Sequence, residues 1–110
     1  MADYSFKVEI ELDEEKLLQE NKYSLENVYK AVCKSFSEKG IEENRTNNNT
    51  LIFSTLREDD AAFSDVWIAI VNLIEAEWFR PYVTKLLWYN AYEGENYYED
   101  TLAAFANKGY

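Results

Sequence analysis

The sequence predicts an α+β fold: two layers, with a three-stranded mixed or antiparallel sheet packed by about three helices in the order β-α-α-β-α-β-α. Three observations predict it. From Tyr4 to Leu12 apolar and polar residues alternate strictly, the period of a strand with one buried and one solvated face. Two segments, Leu25 to Lys39 and Ala61 to Phe79, carry apolar residues at helical spacing. Strand-length apolar runs also occur at Thr50 to Leu56 and Val83 to Ala91. The alternation decides against a parallel α/β sheet, whose strands are buried on both faces and read as continuous apolar runs.

The first strand turns Tyr4, Phe6, Val8, Ile10 and Leu12 to the core and leaves Lys7, Glu9 and Glu11 on the outer face. A one-residue slip would bury the two glutamates, so its register is expected to be firm. Asp13 can cap a short helical turn, Glu14 to Asn21. Ser24 can cap a longer helix, Leu25 to Lys39, that Gly40 ends. Its apolar stripe is Leu25, Val28, Tyr29, Val32 and Phe36. Glu43 to Thr50, rich in Asn, reads as a turn or loop before the second strand. Glu58, Asp59 and Asp60 then cap the most hydrophobic helix. Its stripe is expected to be Phe63, Val66, Trp67, Ile70, Val71, Ile74 and Trp78, with Pro81 as the stop. After the third strand, Asn96 and Glu99 have the spacing of a capping box and predict a last helix, Tyr97 to Lys108. In that helix Tyr98, Leu102 and Phe105 face the core.

At 110 residues the chain reads as one domain, 1–110, long enough to bury a core without disulfides or metals. Apolar residues are 47% and charged ones 29%, a globular composition. The charge balance is unusual: 21 Asp and Glu against 11 Lys and Arg give a net −10. That exceeds the magnitude of about 2 to 8 that keeps a small domain soluble, and it would repel bare nucleic acid and anionic membrane.

The chain has no His, which removes the usual general base near neutral pH, the usual metal ligand and the usual partner of a nucleophile. Its one cysteine, Cys33, sits in a helical pattern and is expected as a core or half-buried thiol. The opening residues carry no secretory pattern, and the run Val66 to Ile74 is about half the length that spans a bilayer, so a cytoplasmic protein is expected. The triplets at Asn44 and Asn48 are therefore chance matches to a glycosylation signal. Nothing matches an EF-hand loop. Glu75 and Glu77, two apart on a helix, point to different faces and do not form a carboxylate pair. The glycines Gly40, Gly94 and Gly109 make no phosphate loop. No enzyme activity, cofactor or metal is expected.

What remains is the acid surplus and where it lies. Tyr89 to Asp100 holds four tyrosines and four carboxylates and no basic residue. Glu99 and Asp100 have an ordinary role at a helix start, where the dipole favours acids. Glu93 and Glu95 precede it, and Tyr92 and Tyr97 are expected at or near the surface. A second acidic group comprises Glu9, Glu11, Asp13, Glu14 and Glu15. Aromatics supply contact energy at interfaces, and dense carboxylates attract a basic patch. The pattern therefore predicts a protein partner with clustered Lys and Arg, met by Glu93, Glu95, Glu99, Asp100, Tyr92, Tyr97, Glu9, Glu11 and Glu14.

In size, charge and lack of a catalytic motif the chain resembles the small acidic proteins of phages and mobile elements, anti-CRISPR and anti-restriction proteins among them. The resemblance implies an inhibitor whose carboxylates stand in for phosphates and block the nucleic-acid channel of a nuclease, or an adjoining site. The competing expectation is an accessory or homodimeric interaction module, in which the aromatics Trp88 and Tyr92 carry the contact and the charge serves solubility.

Overall fold

A computed structural model describes residues 5–45, 50–56, 60–94 and 97–107. The order is β1 (Phe6–Leu12), α1 (Glu14–Glu20), α2 (Leu25–Ser37), β2 (Glu42–Arg45), β3 (Thr50–Thr55), α3 (Asp60–Ile74), a 3-10 turn (Arg80–Tyr82), β4 (Val83–Asn90), β5 (Tyr98–Asp100) and α4 (Thr101–Asn107). The fold is α+β as expected, but among the described residues the sheet has five strands rather than three, in the order β2-β3-β1-β4-β5. Every pairing is antiparallel. The two added strands are short edge strands, β2 from the expected Asn-rich turn and β5 from the expected start of the last helix.

β1 is the central strand and alternates buried and half-buried along its length. Val8 lies opposite Phe53 on one side and Trp88 on the other, and Ile10 lies between Leu51 and Leu86. These residues face the same side of the sheet and bury against Leu17 of α1, Val28, Val32 and Phe36 of α2, and Val66, Ala69, Ile70 and Leu73 of α3. Phe36 stacks on Phe53 with ring centroids 4.2 Å apart. The opposite face carries Lys7, Glu9 and Glu11 beside Ile52, Ser54, Leu87 and Tyr89, all half-buried.

The helix ends follow local chemistry. Asp13 Oδ1 accepts from the Lys16 amide at 3.0 Å and caps α1. The Ser24 hydroxyl accepts from Asn27 at 3.4 Å and begins α2. At the other end of α2, Gly40 takes φ +74°, the Ile41 amide donates to Phe36 O and the Gly40 amide to Ser37 O, a Schellman closure that also buries Ile41.

Three expectations are corrected here. α3 stops at Ile74, not Phe79, because the Ala76 amide bonds Leu73 O and the Phe79 amide bonds Ala76 O. These tighter turns swing Phe79 and Tyr82 into the core and place Glu75 and Glu77 outside the helix. The α3 stripe is also rotated: Ala62, Val66, Ala69, Ile70, Leu73 and Ile74 are buried, while Phe63 and Trp67 are exposed. The two stripes cannot both face the sheet at once. Finally, α4 begins at Thr101 rather than Tyr97, with Asp100 Oδ1 accepting from the Ala103 amide at 3.1 Å. Asp100 is thus the cap expected of Asn96, and Tyr98, expected in the core, is exposed on the outer face of β5. The features expected at Tyr4, Glu58, Asp59, Glu95, Asn96 and Gly109, and the side chains of Asp60 and Phe105, lie outside the described residues.

Replacing Phe53 by Ala is expected to destabilise the fold by about 3 to 5 kcal/mol, because the ring is fully enclosed. Leu18→Ala, on the exposed side of α1, should change stability by no more than about 0.5 kcal/mol. Urea unfolding midpoints at unchanged slope read both; equal effects would contradict the core described above.

Candidate functional site

The site lies at the end of the sheet where β1 begins and β4 leaves for β5. The loop is built locally. Asn90 Oδ1 accepts from the Tyr92 amide at 3.0 Å, the Glu93 amide bonds Asn90 O, and the Asn90 amide bonds Tyr97 O at 3.1 Å. Gly94 takes φ +150°, which an L side chain rarely adopts, and the Tyr97 amide returns to its carbonyl. The loop is also tied to the central strand by the Ala91 amide on Ser5 O at 3.0 Å.

This backbone gathers an aromatic cluster. Phe6 is buried and touches Phe63 edge-on at 5.9 Å and Tyr92 at 5.7 Å between ring centroids. Trp88 meets Phe63 at 5.0 Å and stacks on Trp67 at 5.6 Å. Phe6 and Trp88 form the floor, while Phe63, Trp67, Tyr92 and Tyr97 are 47%, 36%, 60% and 41% exposed. Trp88 is 6% exposed, and its buried indole N–H has no hydrogen-bond acceptor among the described residues. An unmade bond of that kind costs about 1 to 3 kcal/mol.

Two carboxylates stand beside these rings. Glu99 is the cross-strand partner of Trp88, on the same face of the sheet, and Glu93 comes from the loop. Phe63, Trp88, Asn90, Glu93, Tyr97 and Glu99 together enclose a pocket of about 240 Å³. The Tyr97 hydroxyl donates to Glu99 Oε1 at 3.1 Å. This bond, the Glu99 charge, burial and the more distant Glu93 charge raise the Tyr97 phenol above its ordinary value of 10.0. Neither Glu93 nor Glu99 has a Lys or Arg partner among the described residues.

The other acids expected at a contact surface are dispersed. Glu9 is only 16% exposed, accepts from the Tyr89 hydroxyl at 2.5 Å and lies 4.0 Å from Lys85 Nζ. Lys7 sits 4.1 Å from the centre of the Tyr89 ring, so positive and negative groups alternate on the outer sheet face. Glu11 accepts weakly from Thr84 at 3.4 Å, and Glu14 accepts from the Tyr29 hydroxyl at 2.6 Å. Asp100 is turned to the outer face and spent on capping α4. Glu95 lies outside the described residues. Of the expected set, the structure brings together Glu93, Glu99, Tyr92 and Tyr97.

The residues not foreseen at this surface are Phe63 and Trp67, which the helical spacing had assigned to the core. A signal was present: α3 is apolar on nearly every side, so one of its two stripes had to stay outside. Among the described residues no group of three or more His, Cys, Asp or Glu is placed to hold a metal ion, and no helix is long and apolar enough to cross a membrane.

Because the phenol of Tyr97 keeps its proton more tightly in the fold, its bond to Glu99 stabilises the fold fully below the ordinary tyrosine pKa. That contribution is lost as pH rises through the raised value. Glu99→Gln should lower the titration of Tyr97 toward that of a free tyrosine, as followed by NMR of the ring carbons; an unmoved Tyr97 titration would contradict the bond. No family model matches the chain and no curated protein matches it, so the reading of this site rests on its own geometry.

Proposed function

We propose that the protein is a non-catalytic binding module that docks a basic protein on the aromatic face formed by Phe63, Trp67, Tyr92 and Tyr97, between the carboxylates of Glu93 and Glu99. The observation that carries this reading is the coincidence of those exposed rings with two carboxylates that have no cationic partner among the described residues. Aromatic rings anchor interfaces by burial, and unpaired acids speed encounter with a positive patch and fix its register. The net charge of −10 repels nucleic acid and attracts the Lys and Arg clusters that nucleic-acid-binding proteins carry. A partner of that kind, held at its phosphate-contacting residues, would be inhibited.

The dispersal of Glu9, Glu11, Glu14 and Asp100 shapes the proposal. A surface imitating a run of phosphates needs several free carboxylates in series, whereas two acids set among aromatics suit an anchored contact of limited size. The partner should therefore be held by ring burial as much as by charge.

The test is capture from nuclease-treated lysate at low and high salt, with the wild type, a Glu93→Lys and Glu99→Lys double variant, and a Glu26→Lys and Glu38→Lys control. Glu26 and Glu38 are exposed on and just after α2, so both double variants change the net charge equally. The site variant should lose a basic partner by about tenfold or more, the effect of losing about 1.4 kcal/mol, while the control retains it. Equal loss in both variants would reduce the interaction to net charge. Capture indifferent to the site variant, or self-association alone, would overturn the proposal.

A further inference from the structure

We infer that the pocket enclosed by Phe63, Trp88 and Tyr97 receives a single arginine side chain of the docked protein, its guanidinium lying on an aromatic ring and hydrogen-bonded by Glu93 and Glu99. This rests on the docking surface proposed above and names the group that anchors it.

The pocket's size and lining select the occupant. Its volume of about 240 Å³ is below the roughly 300 to 1,000 Å³ of pockets that enclose drug-sized molecules, so it suits one side chain. Two of the lining groups are carboxylates, and none of the described lining residues is cationic. A neutral occupant would take these acids out of water without a partner, which is costly. A divalent ion needs six or more oxygens, or an octahedral set, which two acids among rings do not supply. That leaves an organic cation.

Between the two cationic side chains, the surroundings favour arginine. A guanidinium is planar and weakly hydrated, stacks on rings and bonds carboxylates through several N–H groups at once. Glu99 Oε1 already accepts from Tyr97, and its second oxygen and the Glu93 carboxylate, which have no other side-chain partner among the described residues, are placed to receive the fork. An ammonium is compact and strongly hydrated and makes less of a flat aromatic wall.

Trp88 lines the pocket beside these acids and is itself only 6% exposed, so its ring offers the guanidinium a fixed aromatic wall.

The experiment uses the full chain labelled with ¹⁵N and reads the indole N–H resonances of its three tryptophans, Trp67, Trp78 and Trp88. N-acetyl-arginine-N-methylamide should shift Trp88 saturably and leave Trp78, which borders Lys22 and Tyr23 elsewhere, in place. The citrulline analogue keeps the shape and loses the charge, and should bind at least tenfold more weakly; the lysine analogue should also be weaker. Glu93→Gln and Glu99→Gln should each weaken the arginine response. No saturable Trp88 shift, or equal binding of citrulline, would overturn the inference. If Trp88 does not respond while charge reversal still abolishes protein capture, the docking surface stands and the arginine anchor is wrong. If capture ignores the reversals as well, both fall.

Discussion

The antiparallel pairing of β1 along both of its edges is the constraint on which the rest of the structure depends. With β3 on one side and β4 on the other, its alternation sorts the whole sheet into a buried and an open face. The same register sets Trp88 opposite Val8, and through the β4 ladder sets Glu99 opposite Trp88. Phe6, at the start of the strand, becomes the floor on which Phe63 and Tyr92 rest. A shift of one residue in β1 would bury Lys7, Glu9 and Glu11 and dismantle the aromatic site in the same step.

The acid surplus is handled differently in different places. On the open face of the sheet, glutamates meet lysines and tyrosine hydroxyls, so the local field is largely cancelled. At helix starts Asp13 and Asp100 hold backbone amides that would otherwise lack acceptors. Among the described residues Glu93 and Glu99 are neither paired with a cation nor used in a cap, and they stand where aromatic surface is left uncovered. Exposed rings and uncancelled charge at one end of a sheet combine an apolar anchor with electrostatic guidance, the two ingredients of a selective protein contact.

Much of the fold was legible because its signals are local. The alternation of β1, the caps at Asp13 and Ser24, the stop at Gly40 and the β-rich run of β3 each act within a few residues, and the structure has them where the pattern puts them. The edge strands were not legible. Glu42–Arg45 and Tyr98–Asp100 are held mainly by backbone pairing to a neighbour, and polar residues at an edge leave no periodic trace. The end of α3 was missed because Trp78 continues the helical spacing, whereas the chain tightens earlier to bury Phe79. For the site, Glu93 was legible as an acid without a helical duty and Tyr92 and Tyr97 as aromatics expected at or near the surface, whereas Glu99 was legible only as part of the acid run, its expected duty being at a helix start. Phe63 and Trp67 were hidden by a helix apolar on nearly every side, where hydrophobic spacing alone does not decide which stripe is left out.

The central claim is that the aromatic face and the two carboxylates work as one docking site. Its most direct test is calorimetric titration of the protein with an arginine-rich peptide at several temperatures, in low and in high salt. If rings and acids act together, affinity falls as salt screens the carboxylates but binding persists, with a negative heat-capacity change that Phe63→Ala reduces. Binding that vanishes at high salt and shows no heat-capacity change at low salt would mean that charge acts alone, and would contradict a shared site.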